Sequence, residues 1–257
     1  MLFAVLSQSA LHRQAAHSAE LVSLLAANEV GSASTVGEGA KAVPEPPAPT
    51  SNNEQAAQLF DMETEPVIGG GVAEKWMRAR TEIVREFNEV THCRSTADCS
   101  PVAQRLIDLS ESGAGQSGRA KVGLINRAVD LAINPASDEA QWGVSDRWSA
   151  PFETLGSNRG DCEDYALVKY LALRAAGISQ DDVKIVILRN AFPDEDHAAV
   201  AARVDGEWLI LDNRTLTLVR DSDLVRTIPR FVLDQQGARR FVWASRKPRG
   251  RIVSRMS

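Results

Sequence analysis

The tetrapeptide Val204-Asp205-Gly206-Glu207 limits the possible folds more than any other stretch of this chain. Asp-Gly between two apolar runs is typical of a two-residue β-hairpin turn, because both turn positions need a positive φ angle. Such a turn sets the register of its strands, so that Val204 pairs with Glu207. One face of the hairpin then carries apolar side chains that we expect to pack on the core: Val200, Val204, Leu209 and Leu211.

The same register brings a histidine and an aspartate together on the other face of the hairpin. Ala199 faces Asp212, so Asp212 and His197 become diagonal neighbours whose side chains can meet. Because Ala199 and Ala201 are small, we expect this face to stay open. Taken singly, His197 is also consistent with a surface histidine, and Asp212 with a carboxylate that bonds the following turn.

The overall composition is that of an ordinary globular protein. The chain has 257 residues, of which 44% are hydrophobic and 25% charged, and its net charge is −5. No stretch approaches the ~18–20 consecutive apolar residues of a membrane-spanning helix, so we do not expect an integral membrane protein. The negative charge gives no general attraction to nucleic acid. Three cysteines are too few for a disulfide-scaffold protein, and no Cys/His spacing is typical of a zinc finger.

Helical periodicity comes first along the chain, and strand-like alternation comes after it. The pattern predicts helices at Val72–Val90, from a cap at Asp98 or Ser100 to Leu109, through Val122–Ile133 and at Cys162–Ala176. It predicts strands at Val183–Arg189, His197–Val204, Glu207–Asp212 and Arg240–Ala244. This order predicts an α+β fold in which N-terminal helices pack on an antiparallel sheet.

Composition divides the chain into three regions. Residues 1–70 are predicted to be a poorly ordered segment with a Pro/Ala/Ser-rich linker, which cannot bury enough apolar surface to offset its ordering entropy. Within this region, Leu21–Ala27 resembles either a cropped export signal or a short amphipathic helix. Residues 71–245 are predicted to form the folded domain. Residues 246–257 are a basic tail, either a solvated end or a contact for an anionic surface.

One cysteine lies at the predicted start of a helix, in the segment Gly160-Asp161-Cys162-Glu163-Asp164-Tyr165. Backbone N–H groups at a helix N-terminus favour negative charge and so promote ionisation of the Cys162 thiol, and a thiolate attacks carbonyl groups. Three flanking carboxylates oppose that ionisation unless something neutralises them. A buried structural cysteine is the alternative, although such a residue usually lies within an apolar run.

A nucleophilic cysteine needs a base, and the base needs a group that orients it. Of the four histidines in the chain, His197 alone begins a predicted strand. The hairpin register supplies Asp212 as the orienting group. The sequence therefore predicts a triad of Cys162, His197 and Asp212.

Three segments carry a resemblance to the bacterial transglutaminase-like cysteine peptidases: the one around Cys162, Asp196-His197-Ala198, and Trp208-Leu209-Ile210-Leu211-Asp212-Asn213. The best-known members of that family are the LapG-type periplasmic proteases. The resemblance covers roughly residues 72–245. It implies a papain/transglutaminase-like core with Cys162, His197 and Asp212 as the catalytic residues.

The resemblance also implies a function. LapG-type proteases cut a large surface adhesin near its N-terminus, at a di-alanine site, and thereby release cells from biofilms. An inner-membrane receptor for cyclic-di-GMP restrains them when that nucleotide is abundant. For this chain the resemblance implies a periplasmic cysteine endopeptidase with a protein substrate, a surface adhesin, and such a receptor as a partner.

Calcium dependence is a further implication of the resemblance, with the ion held by the residues on either side of the nucleophile, here Asp161 and Glu163. Carboxylate oxygens suit Ca²⁺, and a bound cation would reverse the local electrostatics that disfavour a thiolate. Asp146 is a weaker candidate for a third ligand. The alternative is that Asp161 and Glu163 only cap the helix and complement its dipole.

The two remaining cysteines, Cys93 and Cys99, lie six residues apart in a Thr/Ser/Asp-rich stretch between predicted helices. A disulfide between them would close a short loop and suit an oxidising periplasm, leaving Cys162 as the free thiol. Two free thiols are the alternative.

Two other functions remain open at this point. A transglutaminase-like acyltransferase would use the same triad but pass the thioester to an amine instead of water. A non-catalytic module would use the cleft and Ca²⁺ to bind a peptide or partner.

Overall fold

The computed structural model describes residues 58–191 and 194–242. The predicted export segment at Leu21–Ala27, the linker up to residue 57 and the basic tail at 246–257 lie outside the described residues. Within the described ranges, no helix is both long and apolar enough to cross a membrane.

The described residues contain six α-helices and nine strands, besides three short 3-10 turns. The helices are α1 (Gly71–Thr96), α2 (Pro101–Glu111), α3 (Gly118–Ala132), α4 (Asp138–Trp142), α5 (Pro151–Ser157) and α6 (Cys162–Ala175). The strands are β1 (Glu63–Pro66), β2 (Asn134–Pro135), β3 (Arg159–Gly160), β4 (Val183–Asn190), β5 (Asp196–Val204), β6 (Glu207–Leu211), β7 (Val219–Arg220), β8 (Thr227–Asp234) and β9 (Gly237–Val242).

Seven of these strands form one antiparallel sheet in the order β1-β9-β8-β4-β5-β6-β7. The helices lie between β1 and β4 in the sequence and pack together on one face of that sheet. The predicted α+β class is therefore confirmed. A separate parallel pair, β2 and β3, lies directly before the helix that begins with Cys162.

Helix ends follow the local signals in the sequence. The Ser100 side chain accepts a hydrogen bond from the backbone N–H of Ala103 at 3.2 Å, and Pro101 occupies the first position of α2. Gly177 adopts φ +86° directly after α6, a left-handed conformation that glycine takes without steric cost. Cys93, in the last turns of α1, forms the predicted disulfide with Cys99.

Helix α6 lies at the centre of the helical layer. Every residue from Asp164 to Leu173 is buried, as expected for a helix that is apolar on nearly all sides. It packs on the sheet face that includes Val200, Leu209 and Leu211, so the predicted inward face of the hairpin is confirmed.

The opposite face of the hairpin is covered, and the expectation that it stays open is wrong. Ala199 and Ala201 are buried beneath an apolar layer that also contains Leu59, Phe60 and Met62. Strand β1 then pairs with β9 at the edge of the sheet. Ordered structure therefore begins before residue 70, and the prediction that residues 1–70 are a poorly ordered segment is wrong for residues 59–66. The physical reason is that the second face of the sheet is apolar and needs a cover.

Candidate active site

Cys162 is the first residue of α6 and lies directly after β3 and Asp161. Close packing at this corner explains the glycine of the motif, since a Cβ on Gly160 would lie 2.7 Å from the Cβ of Asp164. Helix α6 packs against β5, and an interaction with the backbone of Ala198 on that strand counters part of the rise in the pKa of Cys162. The predicted nucleophile thus contacts the strand that carries the predicted base.

His197 and Asp212 lie side by side. His197 Nε2 is 3.0 Å from Asp212 Oδ1, and His197 is only 5% exposed. Val204 pairs with Glu207, which confirms the register from which this contact was predicted. Because Asp212 engages Nε2, Nδ1 is the ring nitrogen that remains for a second partner.

Arg214 holds Asp212 from another direction. Its backbone N–H donates to Asp212 Oδ1 at 2.9 Å, and its Nη2 donates to Oδ2 at 2.6 Å. Burial alone would raise the pKa of Asp212, but hydrogen bonds from His197 and Arg214 hold that pKa well below its usual range. Asp212 is therefore ionised over the whole physiological pH range.

Cys162 and His197 line one cleft of about 560 Å³. This volume falls within the range of roughly 300–1,000 Å³ that is usual for ligand sites in proteins. Apolar side chains form part of its wall: Val72, Trp148, Ile187 and Phe231. Charged side chains form another part: Lys75, Asp146, Asp161, Glu163, Glu195 and Asp196. The cleft therefore combines Cys162 and His197 with an apolar wall and a strongly acidic one.

The surroundings of the Cys162 thiol oppose its ionisation. The thiol donates a hydrogen bond to Glu163 Oε2 at 3.0 Å. Burial, and after it the negative charge of Glu163, raises the pKa of the thiol well above its ordinary value. The helix N-terminus alone therefore does not produce a thiolate here, and a positive charge nearby is needed to offset the carboxylates.

Five carboxylates gather at the start of α6. Oxygens of Asp138, Asp161 and Asp164 lie within 4.8 Å of one another, and so do those of Asp138, Asp146 and Glu163. The sequence predicts Asp161, Glu163 and, more weakly, Asp146 as ligands, but not Asp138 or Asp164. The pairing of β2 with β3 brings Asp138 to this cluster, and short-range sequence patterns do not predict that pairing.

Two of these five carboxylates, Asp161 and Asp164, each have one buried oxygen that no donor reaches, although the other oxygen of Asp164 accepts a hydrogen bond from the backbone N–H of Ser149. Burial, reinforced by Glu163 and Asp164, raises the pKa of Asp161 to about 8, and burial raises that of Asp164 to about 7. Asp161 Oδ1 and Asp164 Oδ2 are buried without a hydrogen-bond partner. Asp161 takes the N-cap position, but its side chain accepts no capping hydrogen bond. The set thus fits a hard divalent cation such as Ca²⁺, which prefers carboxylate oxygens.

Several solved structures are similar to this chain. Legionella pneumophila LapG is 21% identical, covering 61% of this chain and 86% of its own, with a TM-score of 0.47. A calcium-bound form of that protein is 20% identical over 63% of this chain and 90% of its own, with a TM-score of 0.49. An EGTA-treated form is 21% identical over 63% and 87%, also with a TM-score of 0.49. Among curated proteins, none matches the chain closely enough to count as a relative.

A family comparison is more informative. Residues 85–249 match the profile of the bacterial transglutaminase-like cysteine proteinases. The matched range includes Cys162, His197 and Asp212, the three residues that the fold brings to the cleft and its edge. Because the match spans more than half of the chain, this protein belongs to the bacterial transglutaminase-like cysteine proteinase family and is a cysteine peptidase.

Proposed function

We propose that Cys162, His197 and Asp212 form the catalytic triad of this peptidase. The observation that carries the proposal is the 3.0 Å hydrogen bond between His197 Nε2 and Asp212 Oδ1, beside the cleft that His197 shares with Cys162. The Cys162 sulfur attacks the carbonyl carbon of the scissile peptide bond. His197 accepts the thiol proton and later donates it to the leaving amine. Water then hydrolyses the acyl-enzyme.

Asp212 orients the imidazole and stabilises its protonated form. Its carboxylate engages Nε2, so the Nδ1 atom of His197 serves the thiol. The backbone N–H of Cys162, at the first position of α6, supplies one donor to the developing oxyanion.

The peptidase is proposed to depend on calcium held by Asp161 and Glu163. Asp138 and Asp164 extend this donor set inward, and the unpartnered oxygens of Asp161 and Asp164 support the proposal. Asp146 forms an ion pair with Lys75 and is the least available of the group. A bound Ca²⁺ supplies positive charge beside the thiol and thereby lowers the cost of the thiolate.

The substrate of a peptidase is a protein, and we propose a large surface adhesin cleaved at a di-alanine site. The proposal extends to a periplasmic location and to restraint by an inner-membrane cyclic-di-GMP receptor. Its support is the resemblance of the segments around Cys162, His197 and Asp212 to LapG-type proteases. The Cys93–Cys99 disulfide is consistent with an oxidising compartment.

The test is cleavage of an internally quenched peptide that contains an Ala-Ala pair, measured in Ca²⁺ and in excess EGTA. We expect turnover in Ca²⁺, no detectable turnover for Cys162→Ala, and a fall of about 10³-fold or more for His197→Ala. His92→Ala is the matched control, because His92 is an exposed histidine on α1. An added amine that appears in the product would favour acyl transfer over hydrolysis.

Alkylation of Cys162 by iodoacetamide, followed by mass spectrometry, tests the nucleophile without any substrate. In Ca²⁺ we expect alkylation at pH values well below the free-thiol pKa of about 8.5. This reactivity should be lost in EGTA or in His197→Ala. A rate that is the same for His197→Ala and His92→Ala would contradict the triad.

A further inference from the structure

Arg214 makes more contacts with Asp212 than His197 does. Its Nε lies 3.1 Å from Asp212 Oδ1 and 3.2 Å from Oδ2, and its Nη2 lies 2.6 Å from Oδ2. Its backbone N–H also donates to Oδ1 at 2.9 Å. The guanidinium thus forms hydrogen bonds with both carboxylate oxygens, in the bidentate geometry that arginine allows and lysine does not.

Asp212 needs such support because of where it lies in the chain. Strand β6 ends at Leu211, so Asp212 stands just beyond the last ladder pair, Val200 with Leu211. The regular sheet hydrogen bonds therefore do not hold this residue, and its carboxylate is oriented by His197 and Arg214.

We propose that Arg214 is a positioning residue, which fixes the Asp212 carboxylate so that Oδ1 stays aligned with His197 Nε2. The inference rests on the proposed triad and adds to it a residue that acts through Asp212. The Arg214 side chain is 47% exposed, whereas Asp212 is 13% exposed. A half-exposed ion pair adds little to folding stability, so removal of Arg214 affects alignment more than it affects the fold.

The experiment compares Arg214→Gln, Arg214→Lys and a matched control, Arg220→Gln. Arg220 is 49% exposed and forms ion pairs with Asp223 and Glu207 on the neighbouring part of the sheet. The first readout is the kinetics of the peptide that the enzyme cleaves, in saturating Ca²⁺. We expect Arg214→Gln to lower kcat about tenfold with KM unchanged, and Arg214→Lys to restore part of the loss.

The second readout needs no substrate. The low-field proton resonance of the His197 Nε2–H, identified by its loss in His197→Ala, reports the hydrogen bond to Asp212 directly. We expect this resonance to shift or broaden in Arg214→Gln and to stay unchanged in Arg220→Gln. Circular dichroism of each variant shows whether it has folded.

Three results would overturn the inference. The first is an unchanged kcat and an unchanged resonance in Arg214→Gln. The second is a raised KM at constant kcat, which would make Arg214 a substrate contact. The third is an equal loss in Arg220→Gln. Failure of the triad itself is separate, because it would show as full activity in His197→Ala. The response of the resonance to Arg214→Gln would still show whether Arg214 aligns the hydrogen bond between His197 and Asp212.

Discussion

Asp161 at the start of α6 and Asp212 after β6 are both partly buried aspartates, yet their pKa values shift in opposite directions. Burial and the neighbouring carboxylates raise the pKa of Asp161 to about 8. Burial acts on Asp212 as well, but the hydrogen bonds from His197 and Arg214 outweigh it and hold its pKa well below the usual range. The difference lies in the charges of the neighbours and not in the residue type.

This contrast distinguishes the surroundings of Asp212, where every carboxylate oxygen has a donor, from those of Asp161, where one oxygen has none. Asp212 has both oxygens occupied by donors, and its orientation is already set. Asp161 Oδ1 has no donor and lies among like charges. The first region can orient an imidazole without further partners, whereas in the second the like charges are offset only by protonation or by a bound cation.

The largest expected effect comes from a change at Asp212. Asp212→Asn removes the charge that stabilises protonated His197, and we expect kcat for the quenched peptide to fall about 10³-fold, about 4 kcal/mol. Asp182→Asn is the matched control, because Asp182 pairs with Arg203 away from the cleft. A fall of less than tenfold in Asp212→Asn would show that His197 does not depend on this carboxylate.

Calcium should stabilise the folded protein through the carboxylates around Asp161. At a Ca²⁺ concentration 100-fold above its Kd, binding to the folded state stabilises it by about 2.7 kcal/mol, so Tm should rise by roughly 5–10 °C and return in EGTA. Asp161→Asn should abolish most of this rise, whereas Asp108→Asn, an exposed aspartate on α2, should keep it. Differential scanning fluorimetry measures the Tm of both variants in Ca²⁺ and in EGTA. An equal rise in the two variants would exclude Asp161 as a ligand.

Glu86, a buried carboxylate outside the cleft, allows the effect of burial on a pKa to be tested without the acidic cluster. Glu86 is fully buried on α1, accepts a hydrogen bond from the backbone N–H of Phe152 at 3.2 Å and has its pKa raised by burial to about 8. Its pKa is higher in the folded than in the unfolded protein, so the folded state binds the proton more tightly. The free energy of unfolding therefore falls as pH rises from the unfolded value of about 4.3 toward 8.

Urea unfolding in EGTA between pH 5 and pH 8 measures this slope. Glu86→Gln cannot ionise, so it should flatten the slope by up to about 1.4 kcal/mol per pH unit. Glu82→Gln, an exposed neighbour on the same helix, should leave the slope as it is in the unaltered protein. Identical slopes in all three proteins would mean that Glu86 titrates normally.

Short-range patterns were sufficient for much of the fold. The Ser100 cap, the Gly177 helix end and the hairpin turn at Asp205-Gly206 depend only on residues a few positions away, and the structure has all three. The contact of His197 with Asp212 follows from the same hairpin, because a tight turn determines which residues face each other on its two strands.

Elements that depend on distant partners were missed. Strand β1 is four residues long and exists because β9 offers an edge to pair with. Strand β8 contains Pro229, which local rules exclude from a central strand, and the ladder accommodates it at a register shift opposite Leu188. The layer of Leu59, Phe60 and Met62 belongs to a stretch too short to show periodicity.

Residue order and turn chemistry thus decide the α+β class, the hairpin register and the residue types that meet in the cleft. Tertiary packing decides the rest: that the second sheet face is covered, that Asp138 joins the carboxylates beside Cys162, and that Arg214 grips Asp212. The reason is physical. Backbone conformation responds to neighbours in the chain, whereas desolvation and Coulomb interaction depend on every group that folding brings within a few ångströms.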